Sequence, residues 1–130
     1  MPDGPDGNGA ARPCLLVVDD EPENRDLLRR TLKRDFDVED AEDALAALQV
    51  LSRREVQLML CDQLMPGKSG TDLAAEVKAR WPGTRVVLLT GYDDDPEVAA
   101  AHADGRVAAV VGKPWQATRL RALIATLLAG

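Results

Sequence analysis

No apolar stretch in this 130-residue chain approaches the length of a membrane span. The N-terminus also lacks the basic-then-apolar order of an export signal. Cations are outnumbered, 16 Lys and Arg against 22 Asp and Glu, for a formal net charge of −6. A general nucleic-acid surface needs clustered Lys and Arg against phosphates, so none is expected of this segment. Cysteine is scarce. Cys14 and Cys61 fall at opposite ends of predicted neighbouring strands, on the order of 10 Å or more apart at about 3.3 Å per residue. Disulfide-bonded Cα atoms lie within about 7 Å. The pair therefore reads as two buried thiols in a reducing, cytoplasmic setting. The one histidine, His102, lies on a short Ala-rich segment and reads as surface filler.

What is present is a globular composition, 45% apolar and 29% charged, in a length that suits one domain with a single good core. Residues 1–13, rich in Pro, Gly, Asp and Asn, read as a tail without chemistry, and residues 14–130 as the domain. Strand and helix patterns then alternate five times. The predicted strands are Cys14 to Asp19, Phe36 to Asp40 (mixed polarity, a sheet edge), Val56 to Cys61, Arg85 to Thr90 and Arg106 to Val111. The predicted helices are Glu21 to Arg34, Glu42 to Arg53, Ser69 to about Trp81, a short one after Asp94 or Asp95 ending at Gly105, and Gln116 to Leu128. Their punctuation is legible: Asp20 near the first cap with Pro22 in the first turn, Ser69 with Asp72 as a capping pair, and Pro82-Gly83 as a stop. Leu45, Leu48 and Leu51 form one stripe of the second helix; Leu120, Leu123, Ile124, Leu127 and Leu128 form that of the last. Continuous apolar runs on strands one, three, four and five suit a parallel α/β sheet covered on both faces.

Four of these apolar runs end in functional groups: Asp19-Asp20, Asp62, Thr90 and Lys113. In an open parallel sheet the strand carboxyl ends share one edge, where ligands bind. Three carboxylates there would repel strongly, roughly 4 kcal/mol per pair at 4 Å and an effective dielectric of about 20. A hard divalent cation, Mg²⁺, relieves that repulsion and neutralises a phosphoryl group. One carboxylate can then act as nucleophile and form an aspartyl phosphate. Asp62 is the choice, because it ends a central strand and precedes a Pro-Gly turn that leaves space above it. Thr90 can donate to a phosphoryl oxygen, Lys113 can pair with another, and Gly91 leaves the donor a path. Each residue has an ordinary explanation alone: a helix dipole partner, a turn cap, a strand residue, a solvated lysine. Together, at one edge and in this order, they point to chemistry.

The strings "LLVVDD", "CDQLMPG", "LLTG" and "GKPW" resemble the receiver domain of two-component response regulators over residues 14–128. That resemblance implies a flavodoxin-like, doubly wound sheet of five parallel strands in order 2-1-3-4-5 with five helices. It implies Asp62 as acceptor from a sensor histidine kinase, and Asp19, Asp20, Asp62 and the Leu64 backbone carbonyl as the Mg²⁺ ligands. Thr90 and Lys113 become phosphoryl sensors, and the Lys113-Pro114 bond is expected to be cis. The nearest feel is of receivers from NtrC-like hydrogenase regulators or HD-type phosphodiesterase regulators. Phosphorylation would bias the helix starting near Pro96, the strand Arg106 to Val111 and the last helix. That face is the expected site of a homodimer, an output domain or a target protein. Val98 to Ala103, with little bulky anchoring, suits a movable element.

Two departures matter. Many members carry an aromatic switch residue three positions before the lysine; here it is Val110, with Trp115 or Tyr92 as possible substitutes. The lifetime-setting positions, two after the acceptor and two after the threonine, are Leu64 and Tyr92. Neither is acidic or amide-bearing, which implies a long-lived phosphoryl group. The expectation is a signalling domain that is not a turnover enzyme. An aspartate-nucleophile phosphatase would need a second Asp where Leu64 stands. A phosphorylation-independent interaction module is the alternative that Val110 keeps open. Trp81 is expected to cover the end of its helix, and Trp115 to pack beside the Lys113-Pro114 turn. No output domain is visible after the last helix, so the chain acts alone or belongs to a longer regulator.

Overall fold

The computed structural model describes residues 12–91 and 95–129. Its strands are β1 (Cys14–Val18), β2 (Asp37–Ala41), β3 (Leu58–Asp62), β4 (Arg85–Thr90) and β5 (Ala109–Gly112). They alternate with helices α1 (Pro22–Leu32), α2 (Ala44–Arg53), α3 (Gly70–Arg80), α4 (Pro96–Ala103) and α5 (Ala117–Ala129). All strand pairs are parallel and the order is β2-β1-β3-β4-β5, as expected.

Alternate side chains of the central strands feed two cores. Leu16, Val18, Met59, Cys61, Val86 and Leu88 pack under α2, α3 and α4. Leu15, Val17, Leu58, Leu60, Val87 and Leu89 pack under α1 and α5. Strands buried on both faces read as unbroken apolar runs for this reason. Register then fixes the functional edge. Val18 pairs with Cys61, so Asp19 and Asp62 follow side by side. Asp62 pairs with Leu89, and Thr90 with Gly112, so Thr90 and Lys113 complete the row.

Several boundaries differ from expectation. β3 begins at Leu58, because Val56 and Gln57 serve the loop: the Val56 carbonyl accepts from Thr84 Oγ1 at 2.7 Å, and Gln57 N–H donates to Cys14 O at 2.9 Å. β5 begins only at Ala109, since Val107 N–H turns back to Ala101 O at the end of α4. β5 is an edge strand and only half-buried, with Val110 packed on one core and Ala109 and Val111 on the other. α1 has Glu21 at its cap without a side-chain bond; Asp19 Oδ1, not Asp20, accepts from Glu21 N–H at 2.9 Å. In α2 the buried stripe is Ala44, Ala47, Val50 and Leu51, and Leu45 is 67% exposed. On α5 only Leu120 and Ile124 are buried, with Leu123, Leu127 and Leu128 half-buried. Ser69 and Asp72 form the expected capping box, and Asp95 caps α4, with Asp94 outside the described residues. Arg12 Nη1 donates to the carbonyls of Lys33 and Arg34, and Pro13 O accepts from Asp37 N–H. Residues 1–11 of the predicted tail lie outside the described residues. Both cysteines are free and buried, and among the described residues no helix is long and apolar enough to cross a membrane.

Candidate functional site

The carboxyl edge of the sheet gathers Asp19, Asp20 and Asp62 so that one oxygen of each lies within 4.8 Å of the others. Asp19 is 1% exposed and Asp62 8%, while Asp20 faces solvent. Lys113 Nζ donates to Asp62 Oδ1 at 2.7 Å, across 51 residues of sequence. Lys113 N–H also donates to Thr90 O at 2.9 Å, which ties the lysine loop to the end of β4. Thr90 itself is buried. The Lys113-Pro114 peptide is cis, as the resemblance implied.

Asp19 is held on several sides. Its Oδ1 accepts from Glu21 N–H, its Oδ2 from Asn24 Nδ2 at 3.4 Å, and its carbonyl from Arg25 Nη1 at 2.7 Å. Burial raises its carboxyl above the ordinary range and the Asp62 charge adds to this; Glu21 N–H, Lys113 and Asn24 pull the other way. The buried Asp19, with Asp20 and Asp62, forms an all-oxygen donor set, with the Lys113 ammonium beside it on Asp62. A hard divalent cation fits it by charge and by ligand type.

Around this set, Leu64 is 56% exposed on the loop after β3, and Gly67 in that loop takes a φ of 81° that favours glycine. Val110 is half-buried and packs on the core beneath α4, with no ring to rotate. Trp115 packs beside the cis turn against the α1–α5 core. A cleft of about 400 Å³ between α1 and the Lys113-Trp115 turn opens directly onto Asp19 and Lys113. A larger groove, about 560 Å³, lies at the opposite edge between the α2 and α3 ends, far from these acids. Trp81 ends α3 there, under the Arg80 guanidinium at 4.4 Å. Tyr92, the other aromatic substitute weighed above, lies outside the described residues.

The family model of the response regulator receiver domain matches residues 15–125. The chain belongs to that family. HoxA of Cupriavidus necator, a hydrogenase transcriptional regulatory protein, is 39% identical to this receiver over 101 residues, 78% of the chain and 21% of HoxA. The response regulator protein PilR of Pseudomonas aeruginosa is 37% identical over 120 residues, 91% of the chain and 26% of PilR. The receiver thus spans about a fifth to a quarter of these relatives. Among solved structures, the signal receiver domain of an HD domain-containing protein from Pseudomonas fluorescens superposes with a TM-score of 0.86 at 30% identity. It covers 95% of this chain and 91% of its own. TrrA of Thermotoga maritima, solved in complex with Mg²⁺-BeF, superposes with a TM-score of 0.79 at 28% identity, over 88% of this chain and 98% of its own.

Sequence reasoning brought the receiver's acids, Thr90 and Lys113 to one edge, and the fold places them there. It missed Gln63 and Thr71. Gln63 is 2% exposed and Thr71 3%, both polar, and they bond to each other directly behind Asp62. The available signal was a lone amide following a buried strand, a position that needs a dedicated partner. It also missed Gly70. A Cβ there would sit 2.7 Å from Asp62 O and 2.8 Å from Leu88 Cδ2, so only glycine lets α3 approach the end of β3 this closely.

Proposed function

We propose that this receiver accepts a phosphoryl group on Asp62 from the phosphohistidine of a sensor histidine kinase. Mg²⁺ would be held by Asp19, Asp20, Asp62 and the Leu64 carbonyl, and it would supply charge neutralisation for the transferring group. A carboxylate oxygen of Asp62 attacks phosphorus, the P–N bond breaks, and the freed imidazole takes up a proton. Lys113, already on Asp62 Oδ1, moves its ammonium onto a phosphoryl oxygen, and Thr90 contributes its hydroxyl to another. The observation that carries this reading is the 2.7 Å Lys113–Asp62 contact beside two further carboxylates. The donor approaches through the cleft beside Asp19 and Lys113.

The protein works as a switch and not as a turnover enzyme, in the cytoplasm, within a regulator longer than this chain. The regulators HoxA and PilR, of which the chain spans only a part, support that last point. The output partner or a second receiver docks on the face of α4, β5 and α5, where Val110, Val111, Leu123, Leu127 and Leu128 are half-buried. Incubation with Mg²⁺ and acetyl phosphate, read by intact mass, tests the proposal beside Asp62→Asn. A single stable addition, absent from the variant, is expected. No addition would leave the phosphorylation-independent module that Val110 keeps open, and sustained phosphate release would indicate a phosphatase.

A further inference from the structure

The side chain next to the acceptor points inward and, among the described residues, has one partner residue. Gln63 Oε1 accepts from Thr71 N–H at 2.9 Å, and Gln63 Nε2 donates to Thr71 Oγ1 at 3.3 Å. A main-chain N–H can only donate, so the orientation of the carboxamide is fixed. Thr71 Oγ1 also lies 3.2 Å from Glu97 Oε1 and 3.0 Å from Ser69 Oγ. A carboxylate can only accept, so the single proton of Thr71 goes to Glu97 and Ser69 donates to Thr71. Every donor and acceptor position of this buried hydroxyl is then filled.

The backbone of Gln63 is equally engaged. Its N–H donates to Leu89 O at 3.1 Å, and its carbonyl accepts from Gly70 N–H at 2.9 Å. The loop of residues 64–69, which carries the Leu64 carbonyl, therefore closes at both ends on Gln63 and its bonds. At the far end of the chain of bonds, Glu97 is the second residue of α4. That helix buries only Val98 and Ala101. Among the described residues, the Asp95 cap and this one charge-assisted hydrogen bond are the polar contacts that locate its N-terminus.

We propose that Gln63, Thr71 and Glu97 form a hydrogen-bonded relay that carries the state of Asp62 to helix α4. Gln63 and Thr71 act as positioning residues. The relay rests on the phosphoacceptor reading above and supplies the coupling that Val110 cannot. Modification of Asp62 reaches Gln63 through their shared peptide, and loop ligation reaches it through Leu64. The carboxamide then either keeps or releases Thr71, and Thr71 keeps or releases Glu97. These are discrete arrangements, as a coupling element requires.

The test measures hydrogen–deuterium exchange of residues 97–103 before and after acetyl phosphate treatment, with intact mass recording the modification in the same sample. Two variants interrupt the relay. Glu97→Ala changes an exposed residue, and Thr71→Val removes the hydroxyl while keeping the N–H that closes the loop on Gln63. Glu97→Gln and Thr71→Ser keep an acceptor and a hydroxyl, respectively. In the wild type, modification should alter α4 exchange about fivefold, the scale of one hydrogen bond. Glu97→Ala and Thr71→Val should take up the phosphoryl group yet lose most of that response, and the two conservative variants should restore it. A merely structural role would not give this pattern of rescue. A modified Glu97→Ala protein that responds as the wild type does overturns the relay while the phosphoacceptor reading stands. A modified wild type with unchanged α4 exchange does the same. Absence of modification in the wild type overturns both.

Discussion

Asp19→Asn probes the acidic pocket without touching the proposed acceptor. Asp19 and Asp62 are 1% and 8% exposed, with ligand oxygens within 4.8 Å. At that separation and an effective dielectric of about 20, two unit charges repel by roughly 3.5 kcal/mol. Lys113, 2.7 Å from Asp62, offsets part of this. Burial, then the Asp62 charge, raises the Asp19 carboxyl in the fold. A carboxyl whose pKa rises on folding favours the folded state below its unfolded value. It costs stability once pH exceeds its folded value. At neutral pH without a divalent cation, ionised Asp19 is therefore destabilising. Asparagine retains an oxygen for Glu21 N–H, so few contacts are lost. The expected gain is about 2 kcal/mol, or roughly 6–10 °C in melting temperature for a domain of this size. Excess Mg²⁺ should reverse the comparison. A ligand at a hundred times its Kd adds about 2.7 kcal/mol to a protein that binds it, and the variant lacks one of the proposed ligands. The gap in chelator should also shrink as pH falls through the folded pKa of Asp19, where protonation removes the same charge. Thermal melts in chelator and in excess Mg²⁺, across acid to neutral pH, measure all three effects. A variant that melts below the wild type in chelator at neutral pH, or a wild type indifferent to Mg²⁺, would refute the reasoning.

Gly70→Ala would press a methyl against Asp62 O and Gln63 Cα, which are backbone atoms, and against Leu88 Cδ2. Overpacking of this kind costs about 1–3 kcal/mol, and the melt should drop accordingly with weaker Mg²⁺ binding; an unchanged melt argues against the close approach. Lys113→Ala leaves the Asp62 carboxylate without its ammonium, so uptake from acetyl phosphate should slow by about tenfold or more, and an unaltered rate would exclude the lysine from the step. Burial raises both thiols, Cys61 most of all, so iodoacetamide should modify neither cysteine in the native protein and both in denaturant; native labelling would show an opened core. The exposed Leu64 offers no acid or amide to orient water, so the phosphoryl group should persist for minutes or longer, and decay within seconds would contradict this.

The strand–helix alternation was legible because β1, β3 and β4 are buried on both faces, and such strands carry no polar interruption. The acids, Thr90 and Lys113 were legible because each follows the last apolar residue of a strand. A parallel sheet turns that position in sequence into a position in space. Leu45 shows where the rule fails. Leu51 is buried and Leu48 packs on the core as expected, but the buried face of α2 is centred on Ala44, Ala47 and Val50, which turns Leu45 to solvent. The Gln63–Thr71–Glu97 bonds could not be read from spacing at all. Thr71 and Glu97 are 26 residues apart on different helices, and they meet only because α3 and α4 begin at the same edge.

The placement of Val110 constrains where a signal can travel. The side chains of β1, β3 and β4 are close-packed from both sides, and a packed core does not deform continuously. An aromatic at position 110 could swing between a buried and an exposed rotamer and so register a change at the strand ends. Valine is stiff at χ1, and here it rests on the core as one more packing residue. The more lightly anchored parts are the loop after Asp62, the half-buried β5, and α4, which gives the core only Val98 and Ala101. Fully burying a Val side chain contributes about 1.5–3 kcal/mol at most and Ala less, so among the described residues α4 is held by two modest apolar anchors, Val98 and Ala101, a backbone bond from Val107 N–H to Ala101 O, and the Glu97 hydrogen bond. Moving an equilibrium from one part in a hundred to ninety-nine takes about 5.5 kcal/mol, but moving it across the midpoint takes far less. A single hydrogen bond gained or lost at Thr71 is therefore of the right size to shift α4. In this receiver, polar contacts at the start of the helix can do what a rotating ring would otherwise do at its side.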